Sequence, residues 1–299
     1  MSFNLLVHSD NTFLKSNIKI IDIISFALKN KMKSCALIDK NNMYGAYEFY
    51  EKCLANNINP ILGVEYDFNY NEKNIPLVLI AINERGYFNL VKITSLINKI
   101  GKNSLSFKDI SLYTQDIALI IPSFIDFIVE NINSNNYSLL NDFLETIKAN
   151  FKNIYLGVYR YKAANNKLIE NIKEYFSHNS IKSIAMQYAI HKSKDDTIII
   201  NLLDSIKRNI PGNKEFLDNP FIVEAFMKDS VQLSIYYDKE ELRNLDDFAS
   251  SINLKINKIN FSLPDSEKAN DFNKLLNEKA KKSLENKNLV DDKHLKRLD

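Results

Sequence analysis

Four residues able to bind metal or move protons, His8, Asp39, Glu65 and His191, stand within or just after short apolar runs of this chain. His8 belongs to His8-Ser9-Asp10, which follows the run Phe3 to Val7, and Asp39 opens Asp39-Lys40-Asn41 at the end of Ser34 to Asp39. Glu65 lies inside Pro60 to Tyr66, and His191 closes Ser183 to Ile190. Two imidazoles and two or three carboxylates brought together from successive strand ends are a donor set for a divalent cation. Each of these residues serves equally well as a helix cap or a satisfied loop group, and spacing alone favours that plainer reading.

The positions gain meaning from the elements that carry them. Apolar runs of strand length alternate with segments of helical spacing. Ile18 to Lys31 places Ile20, Ile21, Ile24, Ala27 and Leu28 at helical intervals, and helices follow at Tyr47 to Leu54 and Gly86 to Ile100. Leu77 to Ile82, Ile117 to Ile121 and Ile154 to Tyr159 read as strands, with helices at Leu139 to Ala149 and Leu168 to Phe176. The βαβα order predicts an α/β fold with a parallel sheet or barrel and helices outside. Runs apolar on both faces suit strands buried on both sides. In such folds functional groups collect where strands end.

After His191 the pattern changes. Thr197 to Lys207 reads as helix, Ile210 to Pro220 as loop, and Asp238 to Ile252 as helix. From Leu263 a polar helix of mixed sign runs to Asp299, which suggests packing against something beyond this chain. The 299 residues suffice for one large or two smaller domains, and 45% hydrophobic with 25% charged residues marks a globular chain. A net charge of +2 gives no electrostatic case for nucleic acid, so any role in DNA metabolism has to come from motifs. Cys35 and Cys53 lie in apolar patterns and lack zinc-ligand spacing, and a count of two excludes a disulfide scaffold. The start MSFNLLVHS carries no signal-peptide pattern, and no apolar run reaches membrane-helix length, so a cytoplasmic protein without membrane contact is expected. His178 in a polar turn and His294 in the terminal helix read as solvated; the 15 Tyr and 18 Phe read as core. The scattered glycines form no phosphate loop.

Longer stretches resemble a known family. ALIDKNNMYGAYEFYEKCLANNINPILGVEY, Ala36 to Tyr66, is similar to the second conserved block of the PHP domain that opens the alpha subunit of bacterial replicative DNA polymerase III, a C-family polymerase. AINERGYFNLVKITSLINK, Ala81 to Lys99, resembles the next block with its Gly-Tyr-x-Asn-Leu helix. LLVHSDNTFLKS resembles the opening His-x-His strand, SIAMQYAIHKSKDD the closing Asp-x-His strand, and NPFIVEAFMKDSVQL the connector towards the polymerase core.

The resemblance implies a distorted parallel (β/α) barrel that, in complete members, binds metals and hydrolyses phosphoesters, including DNA 3′ ends. Residue by residue this chain departs from that pattern. His8, Asp39, Glu65 and His191 match ligand positions, whereas Leu6, Lys15, Lys40, Pro76, Gly157 and Ala189 stand where further ligands are expected. Pro76 is expected just ahead of the fourth strand. A protonated lysine has no lone pair to offer a cation. The expectation is therefore a vestigial metal site in which Lys15 and Lys40 replace the metals' charge, pairing with Asp39 and Glu65. One close pair gains a few kcal/mol at intermediate dielectric, before desolvation.

The implied organisation is a PHP-type barrel over 1–200, a connector packing on it over 201–258, and a helical start of a polymerase core over 259–299. LPDSE at Leu263 resembles the palm aspartate pair only superficially, and Asp265 reads instead as a helix N-cap. This portion is expected to be structural and without a catalytic residue of its own. Magnesium-dependent synthesis from dNTPs belongs to the full-length polymerase, and zinc or manganese enters only if the barrel site is active. The implied partners are the polymerase core of the same subunit, a proofreading exonuclease or another replisome subunit, and DNA through the full-length protein. Two other readings stay open: an active metal-dependent PHP phosphoesterase or 3′–5′ exonuclease, and a split polymerase piece that only binds another chain.

Overall fold

The computed structural model describes residues 2–101, 104–211, 217–257, 272–287 and 297, and divides into two units, Met1–Ile256 and Asn257–Asp299. The first unit opens with β1 (Leu6–Val7), α1 (Ile20–Lys29), β2 (Ser34–Lys40), α2 (Ala46–Ala55), β3 (Asn59–Tyr70) and β4 (Lys73–Ala81). It continues with α3 (Glu84–Ile100), the short α4 (Phe107–Ile110), β5 (Ile117–Pro122), α5 (Asp126–Asn133), α6 (Tyr137–Asn150) and β6 (Asn153–Val158). Next come α7 (Asn166–His178), β7 (Lys182–Ala185), β8 (Tyr188–Ala189) and α8 (Thr197–Arg208). The last elements of this unit are α9 (Pro220–Val223), α10 (Ser230–Tyr236) and α11 (Lys239–Ser251).

Strands β2 to β7 form one sheet in sequence order, and β1 pairs with β8 in a separate parallel pair that lies beside β2. The pairs β2–β3, β5–β6 and β6–β7 are parallel, as the alternating pattern predicts. The strand around Leu77 to Ile82 departs from that expectation: β4 runs antiparallel to both β3 and β5. Only Asn71 and Glu72 separate β3 from β4, and both have positive φ, 47° and 63°. A two-residue link allows only a hairpin, because a parallel neighbour needs a crossover of about a dozen residues. Pro76 is consequently inside β4, opposite Asp67, and not ahead of the strand.

A second departure concerns Ser183 to Ile190, which is two strands. Met186 still donates its amide to Val158, but Leu6 bonds to Gln187, so the chain changes sheet at this step. The Gln187 side chain fixes the step by donating to the carbonyls of Tyr188, Glu224 and Phe226.

Apolar residues fill both faces of the main sheet. Leu37, Ile38 and Ile61 pack with α1, α2 and α11 residues, while Leu79, Ile121 and Leu156 pack with residues of α3, α5, α6 and α7. The Gly-Tyr-x-Asn-Leu stretch has a packing reason at three of its marked positions. A Cβ on Gly86 would collide with the Asp116 carbonyl, Asn89 donates to the Gln115 carbonyl at 2.9 Å, and Leu90 is buried. These contacts seat α3 on the loop entering β5.

The compact unit continues past 200 to Ile256. Within it α11 lies along β7, and Asn244 donates to the Ser183 carbonyl at 2.9 Å. Buried Arg160 forks onto Glu241, with Nε–Oε2 3.1 Å and Nη2–Oε1 2.8 Å, and Lys173 joins the same carboxylate at 2.9 Å. In the second unit the described helix is α12 (Phe272–Asn286), and most of the rest of the helix expected from Leu263 to Asp299 lies outside the described residues. Leu263, Asp265 and His294 lie outside the described residues. His178 is the last residue of α7 and not part of a turn.

Candidate functional site

His8 follows β1, where its amide donates to the Ala189 carbonyl and its own carbonyl accepts from Ser16 Oγ at 2.7 Å. Asp39 and Lys40 end β2, and parallel register sets Lys40 directly beside Glu65 on β3. The three acidic and imidazole groups expected from the first three strands are therefore neighbours, and all three are buried.

Asp39 is fully committed to the loop after β1. Its Oδ1 accepts from the Ser9 amide at 2.6 Å and from Thr12 Oγ1 at 2.7 Å, while Oδ2 accepts from Ser9 Oγ at 2.7 Å. Charged hydrogen bonds of this length are strong and fix the loop. Thr12 also accepts from the Lys40 amide at 3.1 Å, tying the loop to the end of β2. Sequence reasoning passed over Thr12; the signal available was a Ser9-x-x-Thr12 step facing a strand-end aspartate.

Both lysines converge on Glu65. Lys15 Nζ is 3.5 Å and Lys40 Nζ 3.3 Å from Oε1, and His8 Nε2 is 3.3 Å from Oε2. That corrects the expected pairing, in which Asp39 took one of the ammoniums. Asp39 accepts three hydrogen bonds from Ser9 and Thr12. Lys40 instead reaches Asp67 at 2.8 Å. Asp67 was also missed, although it lies two residues from Glu65 and hence on the same face of β3.

The charges shape one another. Burial pushes the Glu65 pKa up, but Lys15, His8 and Lys40 outweigh it and hold the carboxyl well below its ordinary range. His8 is pushed down, first by burial and then by the Lys15 charge. Its Nε2 is buried without a well-aligned hydrogen bond, despite the nearby carboxylate. Burial works against the Lys15 ammonium, yet Tyr188 and Glu65 overcome it and raise its pKa. The Tyr188 ring lies 5.6 Å from Lys15 Nζ and meets the His8 ring edge to face at 5.5 Å.

His191 does not join this group. Nδ1 sits 2.6 Å from the Ser193 carbonyl and Nε2 2.8 Å from the Ile222 carbonyl, so both ring nitrogens face the segment after the barrel. The remaining positions are closed by packing. Leu6 and Ala189 are buried, and Met186 sulfur fills the space a side chain on Gly157 would need. Among the described residues, no group of three or more His, Cys, Asp or Glu is arranged to hold a metal ion.

Beyond Tyr188 opens a cleft of about 820 Å³ lined by Ser123, Phe124, Tyr159, Tyr161 and Phe221, among others. Phe124, Tyr159 and Phe221 pack edge to face with centroids 5.0–5.8 Å apart, which makes them a wall of the fold. No helix among the described residues is long and apolar enough to cross a membrane.

An α/β sheet with polar groups gathered at its strand ends defines the class, and comparison with known proteins gives it a family. The PHP domain family matches residues 4–161, and the chain belongs to that family. It is similar to DNA polymerase III subunit alpha of Ureaplasma parvum, 26% identical over 270 residues, which cover 90% of this chain and 23% of that protein. The same subunit of Bacillus subtilis is 37% identical over 126 residues, 41% of this chain and 11% of that protein. In three dimensions an amidohydrolase from Chromobacterium violaceum, solved with bound sulfate and no metal, aligns with a TM-score of 0.44 at 11% identity, over 64% of this chain and 88% of that one. The chain spans about a quarter of the length of the polymerase subunits it matches.

Proposed function

We propose that this chain is the PHP portion of a replicative DNA polymerase III alpha subunit, and that its barrel mouth is an ion-paired brace in place of a phosphoesterase centre. One observation carries this reading: two ammoniums and an imidazole share Glu65, while every Asp39 oxygen is taken by Ser9 and Thr12. These residues do not fit a divalent cation. A dication placed among them would meet two like charges a few Å away, and the lysines offer it no lone pair while protonated. His191, turned to carbonyl oxygens, adds no ligand.

In this reading the barrel covers roughly 1–200, the connector 201–258, and a polymerase core begins near 259. Magnesium-dependent synthesis from dNTPs belongs to that core. The present chain holds the core in place within the cytoplasmic replisome, and DNA is met through the whole subunit. A second reading, a residual zinc- or manganese-dependent phosphoesterase or 3′–5′ exonuclease, draws on His8, whose buried Nε2 lacks an aligned partner. Elemental analysis of the purified protein, with a phosphatase assay in added manganese, decides between them. Substoichiometric metal and no turnover are expected; one equivalent of zinc or manganese that disappears in His8→Ala rejects the brace.

A further inference from the structure

Helix α8 keeps most of its large apolar side chains out of the core. Its apolar stripe, Ile198, Ile199, Leu202 and Ile206, faces outward, with 64%, 39%, 59% and 56% of each residue exposed. The side turned inward carries Thr197, Asn201 and Ser205 together with Ile200, and Leu203 packs against the core beside them. The inward hydroxyls are satisfied locally, Ser205 Oγ donating to the Asn201 carbonyl one turn back and Thr197 Oγ1 to the Lys194 carbonyl. A surface helix of a self-sufficient domain turns its apolar stripe to the core. Here the stripe at steps of three and four residues points to solvent, and Ile210 beyond the helix is 43% exposed. Such a ridge fits the groove of a second helical surface.

We propose that the outward face of α8 is the seat of the polymerase core, the polypeptide that in the relatives lies outside the portion matched here. The inference rests on the reading above and adds the contact surface. Two observations select this occupant. The matched relatives carry about three-quarters of their length outside the region shared with this chain, a body several times its size. And α8 follows directly on the last strand of the barrel, through the short Ser193-to-Asp196 turn, so a partner seated there is held against a rigid base. Exposed Lys207 and Arg208 at one end of the stripe and Asp195 at the other give the polar rim such a contact carries.

The native thiols, Cys35 and Cys53, are buried, so a Leu202→Cys variant of this chain presents one reactive thiol. Its rate of maleimide labelling is measured alone and with the remainder of the alpha subunit encoded by the same genome, supplied as a separate polypeptide. Unfolding of the variant is checked against the parent chain. At least a tenfold slower labelling in the complex is expected, with loss of co-purification in the double variant Leu202→Glu and Ile206→Glu. A complex that forms with unchanged labelling overturns the α8 seat while leaving the proposed function intact. Absence of any complex overturns both. Labelling of the chain alone that slows as its concentration rises assigns the face to a second copy, and labelling already slow at every concentration assigns it to another segment of this chain; each of these also overturns the proposal.

Discussion

The barrel mouth and the connector solve one electrostatic problem in two ways. At the mouth, buried Glu65 is shared by Lys15 and Lys40 at 3.5 and 3.3 Å, each lysine partly exposed. At the connector, buried Glu241 is shared by Arg160 and Lys173 at 2.8 and 2.9 Å, and the guanidinium binds with two nitrogens. A third carboxylate, Glu224, follows the same scheme with Lys194 at 2.6 Å and Lys228 at 3.5 Å. The fork of an arginine fixes orientation as well as charge, whereas an ammonium acts as a point charge. The connector therefore holds its partners by geometry, and the mouth holds its own by charge.

The largest expected break of that contrast is Glu241→Gln, which takes the buried carboxylate from Arg160 and Lys173 and leaves them only the more exposed Glu170 and Asp238. Breaking such a buried pair costs about 4 kcal/mol, read as a lower midpoint in urea unfolding. The next concerns Lys228, whose pKa is pushed down to about 8, burial outweighing its attraction to Glu224. A folded-state value below the unfolded one means that this stability is complete above the unfolded pKa near 10.5 and is lost as pH falls to about 8. Relative to Lys228→Met, the parent chain should gain about 3 kcal/mol between those limits, measured by unfolding at each pH. A flat difference contradicts the assignment.

At the mouth the effects should be smaller, because water reaches the lysines. Glu65→Gln is expected to cost about 2 kcal/mol at neutral pH. The Glu65 pKa is held low, so the gap between parent and variant should persist above the ordinary carboxylate range and close as acid titrates the folded state. Thermal unfolding from neutral pH downwards checks this, and a gap that widens in acid contradicts it. Smallest is Lys15→Met, expected to cost no more than about 1 kcal/mol, since Lys40 and His8 remain on Glu65. A loss as large as that of Glu241→Gln would erase the distinction between the two regions.

How far the sequence disclosed this arrangement varies from residue to residue. β2, α2, β3 and α3 were readable because apolar runs and helical spacing are local signals, and Gly86 and Asn89 marked a real packing contact. The sense of β4 was hidden, since Asn71-Glu72 is a hairpin turn without the glycine that usually announces one. The site was half visible. Asp39, Glu65 and His8 do meet, but which anion the lysines choose depends on hydrogen bonds from Ser9 and Thr12 that no spacing reveals. His191 looked like a strand-end ligand because the carbonyls that claim it come from Ser193 and Ile222, the second far off in sequence. For α8, periodicity identified the helix, yet periodicity alone is silent on which side faces in.

The Met186 sulfur lodged against Gly157 couples the two positions. Any carboxylate placed at 157 would first need that methionine to withdraw, and a smaller residue at 186 would leave a void beside Ile120. Either change taken singly weakens the fold. A carboxylate at 157 is thus reached only through a less stable single variant, whichever step comes first.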